Sequence, residues 1–128
     1  MPSLAGAFPY FVSSNFFLMN TRFYRHFSQM DQQIAQIKHQ IPRLYETENQ
    51  KDPIVHLKFF TPDSSWTWYV VEFDGEDLFF GLVDGHEQEL GYFRLSELKT
   101  VRGKLGLPVE IDLWFNPRLL SEIQNKAA

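Results

Sequence analysis

The chain has no cysteine in its 128 residues. Disulfide frameworks, thiolate-ligated zinc, iron–sulfur clusters and thiol nucleophiles are excluded with it. No run approaches the roughly 18 consecutive apolar residues that a membrane-spanning helix needs. Basic side chains are also short: 12 Lys and Arg stand against 16 Asp and Glu, a net charge of −4. A domain-wide nucleic-acid surface draws its affinity from Lys and Arg, so this balance argues against one. There are no internal repeats, no low-complexity linkers, no G-x-G-x-x-G, no phosphate-binding Walker loop and no G-x-S-x-G elbow. The histidines, His26, His39, His56 and His86, show no metal-binding spacing. What remains is one globular domain without a cofactor, and its location is expected to be the cytoplasm.

What the chain does have is aromatic residues, 16% of the total. They are unevenly spread. Residues 1–29 contain no Asp or Glu but hold Phe8, Phe11, Phe16, Phe17, Phe23 and Phe27 with Tyr10 and Tyr24, and neither a helical nor a strand period runs through them. Met19 and Met30 are internal start candidates, so residues 1–29 read as an atypical extension and 30–128 as a single domain. Charge divides similarly, with a net +3 over residues 1–43 and −7 over 44–128.

From residue 30 the pattern is that of an α+β fold, a single antiparallel sheet of four to five strands in a meander with short flanking helices. Asp31 is placed to cap a helix with Ile34, Ile37 and Ile41 on one stripe, closed by Pro42. Ile54–Phe60 and Ser65–Phe73 alternate as strands, joined by Thr61-Pro62-Asp63-Ser64 as a turn. Asp74-Gly75 and Asp84-Gly85 open hairpins into Leu78–Val83 and Leu90–Phe93. Ser96 is a candidate cap for a short helix. Pro108–Phe115 offers a fifth strand with Val109, Ile111 and Leu113 on one face, and Asn116-Pro117 reads as the start of a terminal helix.

Candidates for chemistry are few. Trp66 and Trp68, two apart on a strand, would place their rings side by side as a binding platform. Between Asp63 and Leu90 there are eight acids and no Lys or Arg, and Asp74, Glu76 and Asp77 sit at a hairpin tip as an acidic contact edge. Lys99, Arg102 and Lys104 form a small basic group beside Gly103 and Gly106. Ser96-Glu97-Leu98-Lys99 matches the S-x-x-K pattern of serine acyl transferases, without its S-D-N and K-T-G companions, and helix capping accounts for Ser96.

The Thr61-Pro62-Asp63-Ser64, Trp66-Thr67-Trp68-Tyr69 and Glu89-Leu90-Gly91-Tyr92-Phe93 blocks, followed by Leu95–Leu98 and Val101–Glu110, resemble a bacterial domain family of unknown function. Its members often sit on plasmids or other mobile elements. The resemblance covers about Ile37 to Ile123, leaves residues 1–29 outside its pattern, and brings no activity, cofactor or catalytic residue. The expectation is therefore a noncatalytic interaction module that contacts a protein partner through an aromatic and acidic surface. Two alternatives compete with it. One is a hydrolase or nuclease-like enzyme using Asp63, Glu72 or Asp74 with a divalent ion, and the other is single-stranded nucleic-acid binding through the tryptophans and Lys99, Arg102 and Lys104.

Overall fold

Hairpin signals and apolar alternation set the centre of the molecule, a computed structural model that describes residues 23–127. Five strands, β2 (Leu57–Phe60), β3 (Thr67–Phe73), β4 (Leu78–Asp84), β5 (Gln88–Arg94) and β6 (Glu110–Ile111), form one antiparallel sheet in the order β5-β4-β3-β2-β6. The first four make the expected meander. β6 adds to the free side of β2, with Phe59 opposite Ile111. A separate ribbon pairs β1 (Ile54–Val55) with β7 (Arg118–Leu119).

Register follows the sequence until Val70. There a bulge lies between Val70 and Glu72, so two residues of β3 occupy the space of one on β4. Strict alternation puts Phe73 on the face of Tyr69 and Val71. The extra residue moves it to the face of Trp68 and Val70, where it stacks on Phe79 at 4.5 Å and 26°. On that face Phe79 also meets Phe59 and Phe93, at 5.5 and 5.4 Å. Gly81 lies beside the bulge, and a Cβ there would overlap the carbonyl oxygen of Tyr69, so only glycine lets the two strands approach this closely.

Helix α1 (Tyr24–Ile37) covers this face with Phe27, Met30 and Ile34, three positions of one helical stripe. It begins seven residues before Asp31, which lies mid-helix and caps nothing. Of the expected extension, residues 23–29 thus belong to or adjoin this helix, while residues 1–22 lie outside the described residues. A 3₁₀ turn over Lys38–Gln40 ends it, and the Pro42 carbonyl accepts from the Phe73 amide at 2.9 Å.

Two further short helices lie among the described residues, α2 (Leu95–Leu98) and α3 (Leu120–Ala127), and a distant aspartate accepts from the first turn of each. The Ser96 amide and hydroxyl both donate to Asp77 on the β3–β4 hairpin, each at 2.8 Å. The Ser121 amide and hydroxyl likewise donate to Asp52, at 2.9 and 2.6 Å. Ser96 is therefore the capped residue and not the cap. Asn116-Pro117 does not start a helix either, because the chain first forms β7. Through Leu120 and Ile123, α3 packs with Val55, Val71 and Leu82 on the opposite face of the sheet. Among the described residues, no helix is long and apolar enough to cross a membrane.

Candidate protein-contact surface

The residues singled out in the sequence are mostly used to hold the fold. Trp66 is 5% exposed and Trp68 1%. Their rings do lie together, 6.1 Å apart, but beneath the Asp84-Gly85 hairpin, where His86 meets Trp66 edge-on at 5.3 Å. The expected platform is core, because α1 and α2 cover the face on which the strand places Trp68.

The acids follow the same rule. Asp74 accepts from the amides of Glu76, Asp77 and Leu78 at 2.8, 2.8 and 3.0 Å, closing the hairpin turn. Burial pushes its carboxyl up, but those three N–H donors and Arg94 outweigh it and hold its pKa below the usual range. Asp63 holds the Leu105 and Leu107 amides at 2.7 and 3.3 Å, fixing the loop that carries exposed Lys104. Glu72 is buried and binds the amides of Tyr45 and Thr47. Asp63, Glu72 and Asp74 thus serve three separate loops. No three His, Asp or Glu residues among those described gather where they could share a metal ion.

The basic group is dispersed. Lys99 pairs with Asp31 at 2.8 Å. Arg102 is 5% exposed, donates to the carbonyls of Lys99 and Val101, and lies over the rings of Phe23 and Phe27 at 4.9 and 5.5 Å. Glu76, Asp77, Ser96 and Lys99 do line a common open cleft of about 430 Å³ between α1 and the β3–β4 hairpin. Within it, however, the Ser96 hydroxyl is bound by Asp77 and the Lys99 ammonium by Asp31. Neither is poised to act on the other.

A different surface is open. The fifth strand ends after two residues because Asp112 turns the chain. Its amide donates to the Lys58 carbonyl at 2.9 Å, its carboxylate accepts from the Trp114 amide at 2.9 Å, and its carbonyl accepts from the Phe115 amide at 3.3 Å. Leu113 and Trp114 are pushed outward, 64% and 91% exposed. On one side of this loop lies a cleft of about 420 Å³ lined by Lys58, Tyr69, Asp112, Trp114, Phe115 and Arg118. Phe115 meets Tyr69 at 6.3 Å, Arg118 lies 5.9 Å from the Phe115 ring, and Lys58 lies 5.9 Å from the Tyr69 ring. Burial, with help from Asp84 and Asp112 and against Arg118 and Thr67, raises the Tyr69 pKa and keeps the phenol protonated.

On the other side is a smaller, more apolar cleft of about 240 Å³. Ile37, Ile41, Leu57, Ile111 and Leu113 form its walls, with Gln33, Gln36, Gln40, His56 and Asp112 among its polar groups. Burial lowers the His56 pKa, so the folded state prefers the neutral ring. Protons are then taken up on unfolding, and stability is complete above the ordinary histidine pKa of 6.5 and declines as pH falls through it. Thermal melts from pH 7.5 to 5.5 should show the melting temperature dropping, with part of the drop removed in His56→Gln. An unchanged slope in that variant would exclude His56 as a source. The sequence did contain a signal for this loop: the exposed pair Leu113-Trp114 is bracketed by turn formers, Asp112 before it and Asn116-Pro117 after it.

These observations define an α+β domain, a five-stranded antiparallel sheet and a two-stranded ribbon with helices on both sheet faces, that presents an exposed tryptophan on a turn between two clefts. The chain belongs to the family described as protein of unknown function (DUF2958), whose model matches residues 28–128. No curated protein and no solved structure matches it.

Proposed function

We propose that the domain is a noncatalytic module of the cytoplasm that binds a protein partner on the Leu113–Trp114 loop. The observation that carries this reading is the 91% exposure of Trp114 on a backbone pinned by Asp112. Tryptophan, tyrosine and arginine dominate the energetics of protein interfaces, and Trp114, Tyr69 and Arg118 line one cleft. A pinned loop also has less conformational entropy to lose on binding. The commitment of Asp63, Glu72, Asp74, Ser96 and Lys99 to structural contacts supports a role by contact over one by catalysis.

Trp114→Ala tests the reading. Partners retained by the wild-type chain from a lysate of its native host are identified and purified, and their affinity for the two proteins is compared. A contact centred on Trp114 predicts at least a tenfold loss of affinity, on the order of 1.4 kcal/mol or more. The melting temperature should stay within about 2 °C of wild type, since surface substitutions change stability little. Equal affinity in the two proteins would overturn the assignment of the surface.

A further inference from the structure

The two clefts differ in chemistry, and that difference specifies a ligand. Resting on the contact surface assigned above, we propose that the partner segment is acidic and carries a large apolar residue beside its carboxylates. The cleft beside Trp114 holds two cations, Lys58 and Arg118, and one carboxylate, Asp112. Lys58 reaches Asp112 at 3.7 Å. Arg118 lies over Phe115 and has no carboxylate within ion-pair distance among the described residues. Asp84 and Asp112 match the two cations in number around Tyr69, but neither lies within ion-pair distance of Arg118. Its guanidinium is therefore the charge left for an incoming carboxylate, in a stretch of chain, residues 44–128, whose net charge is −7. A planar guanidinium held against a ring presents a donor fork that matches a carboxylate.

Across the loop, the walls of Ile37, Ile41, Leu57, Ile111 and Leu113 offer an apolar side chain a place to bury. The three glutamines that rim it are neutral. A segment crossing the Leu113–Trp114 loop thus meets a cation on one side and an apolar seat on the other. A nucleic-acid strand fits less well. Two cations beside Asp112 cannot neutralise a run of phosphates, and affinity for a phosphate backbone grows with the number neutralised.

Panning a displayed random dodecapeptide library against the full chain tests the proposal, with Trp114→Ala and Arg118→Gln panned in parallel and the selected pools sequenced. The wild-type pool should show at least a twofold excess of Asp and Glu over the input, together with excess Leu, Phe or Trp. The acidic excess should vanish from the Arg118→Gln pool, and Trp114→Ala should select nothing above background. Melting temperatures within about 2 °C of wild type show that both variants fold. A Trp114-dependent pool without acidic excess, or one whose acidic excess survives Arg118→Gln, overturns this inference and leaves the contact surface standing. A pool indifferent to Trp114 overturns both. Trp114-dependent binding of oligo(dT), or Trp114-dependent self-association in sedimentation equilibrium, overturns the acidic segment in favour of nucleic acid or of a second copy.

Discussion

Glu72→Ala should cost about 4 kcal/mol of folding stability, read as a fall in denaturation midpoint at constant m-value. Glu72 is 3% exposed, and its two carboxylate oxygens receive the Tyr45 amide at 2.8 Å, the Thr47 amide at 3.0 Å and the Thr47 hydroxyl. Tyr45 is held at φ +70°, a left-handed conformation that a tyrosine adopts only under compulsion. Alanine removes every acceptor at once and leaves three donors stranded, two of them on Thr47, which is 6% exposed. Each unsatisfied group costs roughly 1–3 kcal/mol, which sets the total. Glu72→Gln keeps one acceptor oxygen and should lose about half as much. A loss below about 1 kcal/mol for the alanine variant would show that the 43–49 loop does not depend on this carboxylate.

The second large effect is expected at Phe79. Its ring is 0% exposed and lies within 4.5–5.5 Å of Phe59, Phe73 and Phe93. Truncation to alanine removes the common member of three ring contacts and opens a cavity that three rigid rings cannot fill. The cost is about 3–5 kcal/mol, a lowering of the melting temperature by roughly 15 °C. Phe79→Leu should recover more than half of it, because most of the lost volume returns. If alanine and leucine destabilise alike, ring stacking and not volume is what Phe79 contributes. Domains of this kind have roughly 5–15 kcal/mol in total, so either alanine variant approaches the limit of folding at 37 °C.

Local chemistry made the meander legible. Asp74-Gly75 and Asp84-Gly85 lie at the two hairpin turns, with Phe73 opposite Phe79 and Asp84 opposite Gln88 as the closing pairs. Turn residues act over a few positions and need no distant partner, which is why they can be read directly. The helix starts could not be read in that way. Asp77 caps α2 from 19 residues away and Asp52 caps α3 from 69 residues away, so the serines at 96 and 121 give only half of each arrangement. Phe73 lies on the unexpected face for a related reason. A one-residue bulge inverts every later position of a strand, and it depends on what β4 places alongside, Gly81 included.

The site divides along the same line. The sequence by itself determined the fold class, the excluded chemistries and the presence of an acidic stretch between Asp63 and Leu90, because composition, period and turn residues are local properties. Tertiary structure alone decided exposure. Trp66 and Trp68 lie under α1 and α2, while Trp114 stands in solvent because Asp112 ends β6 and turns the chain. The three side chains are chemically identical, and only the packing of distant elements over a sheet face determines which indole is left to meet a partner.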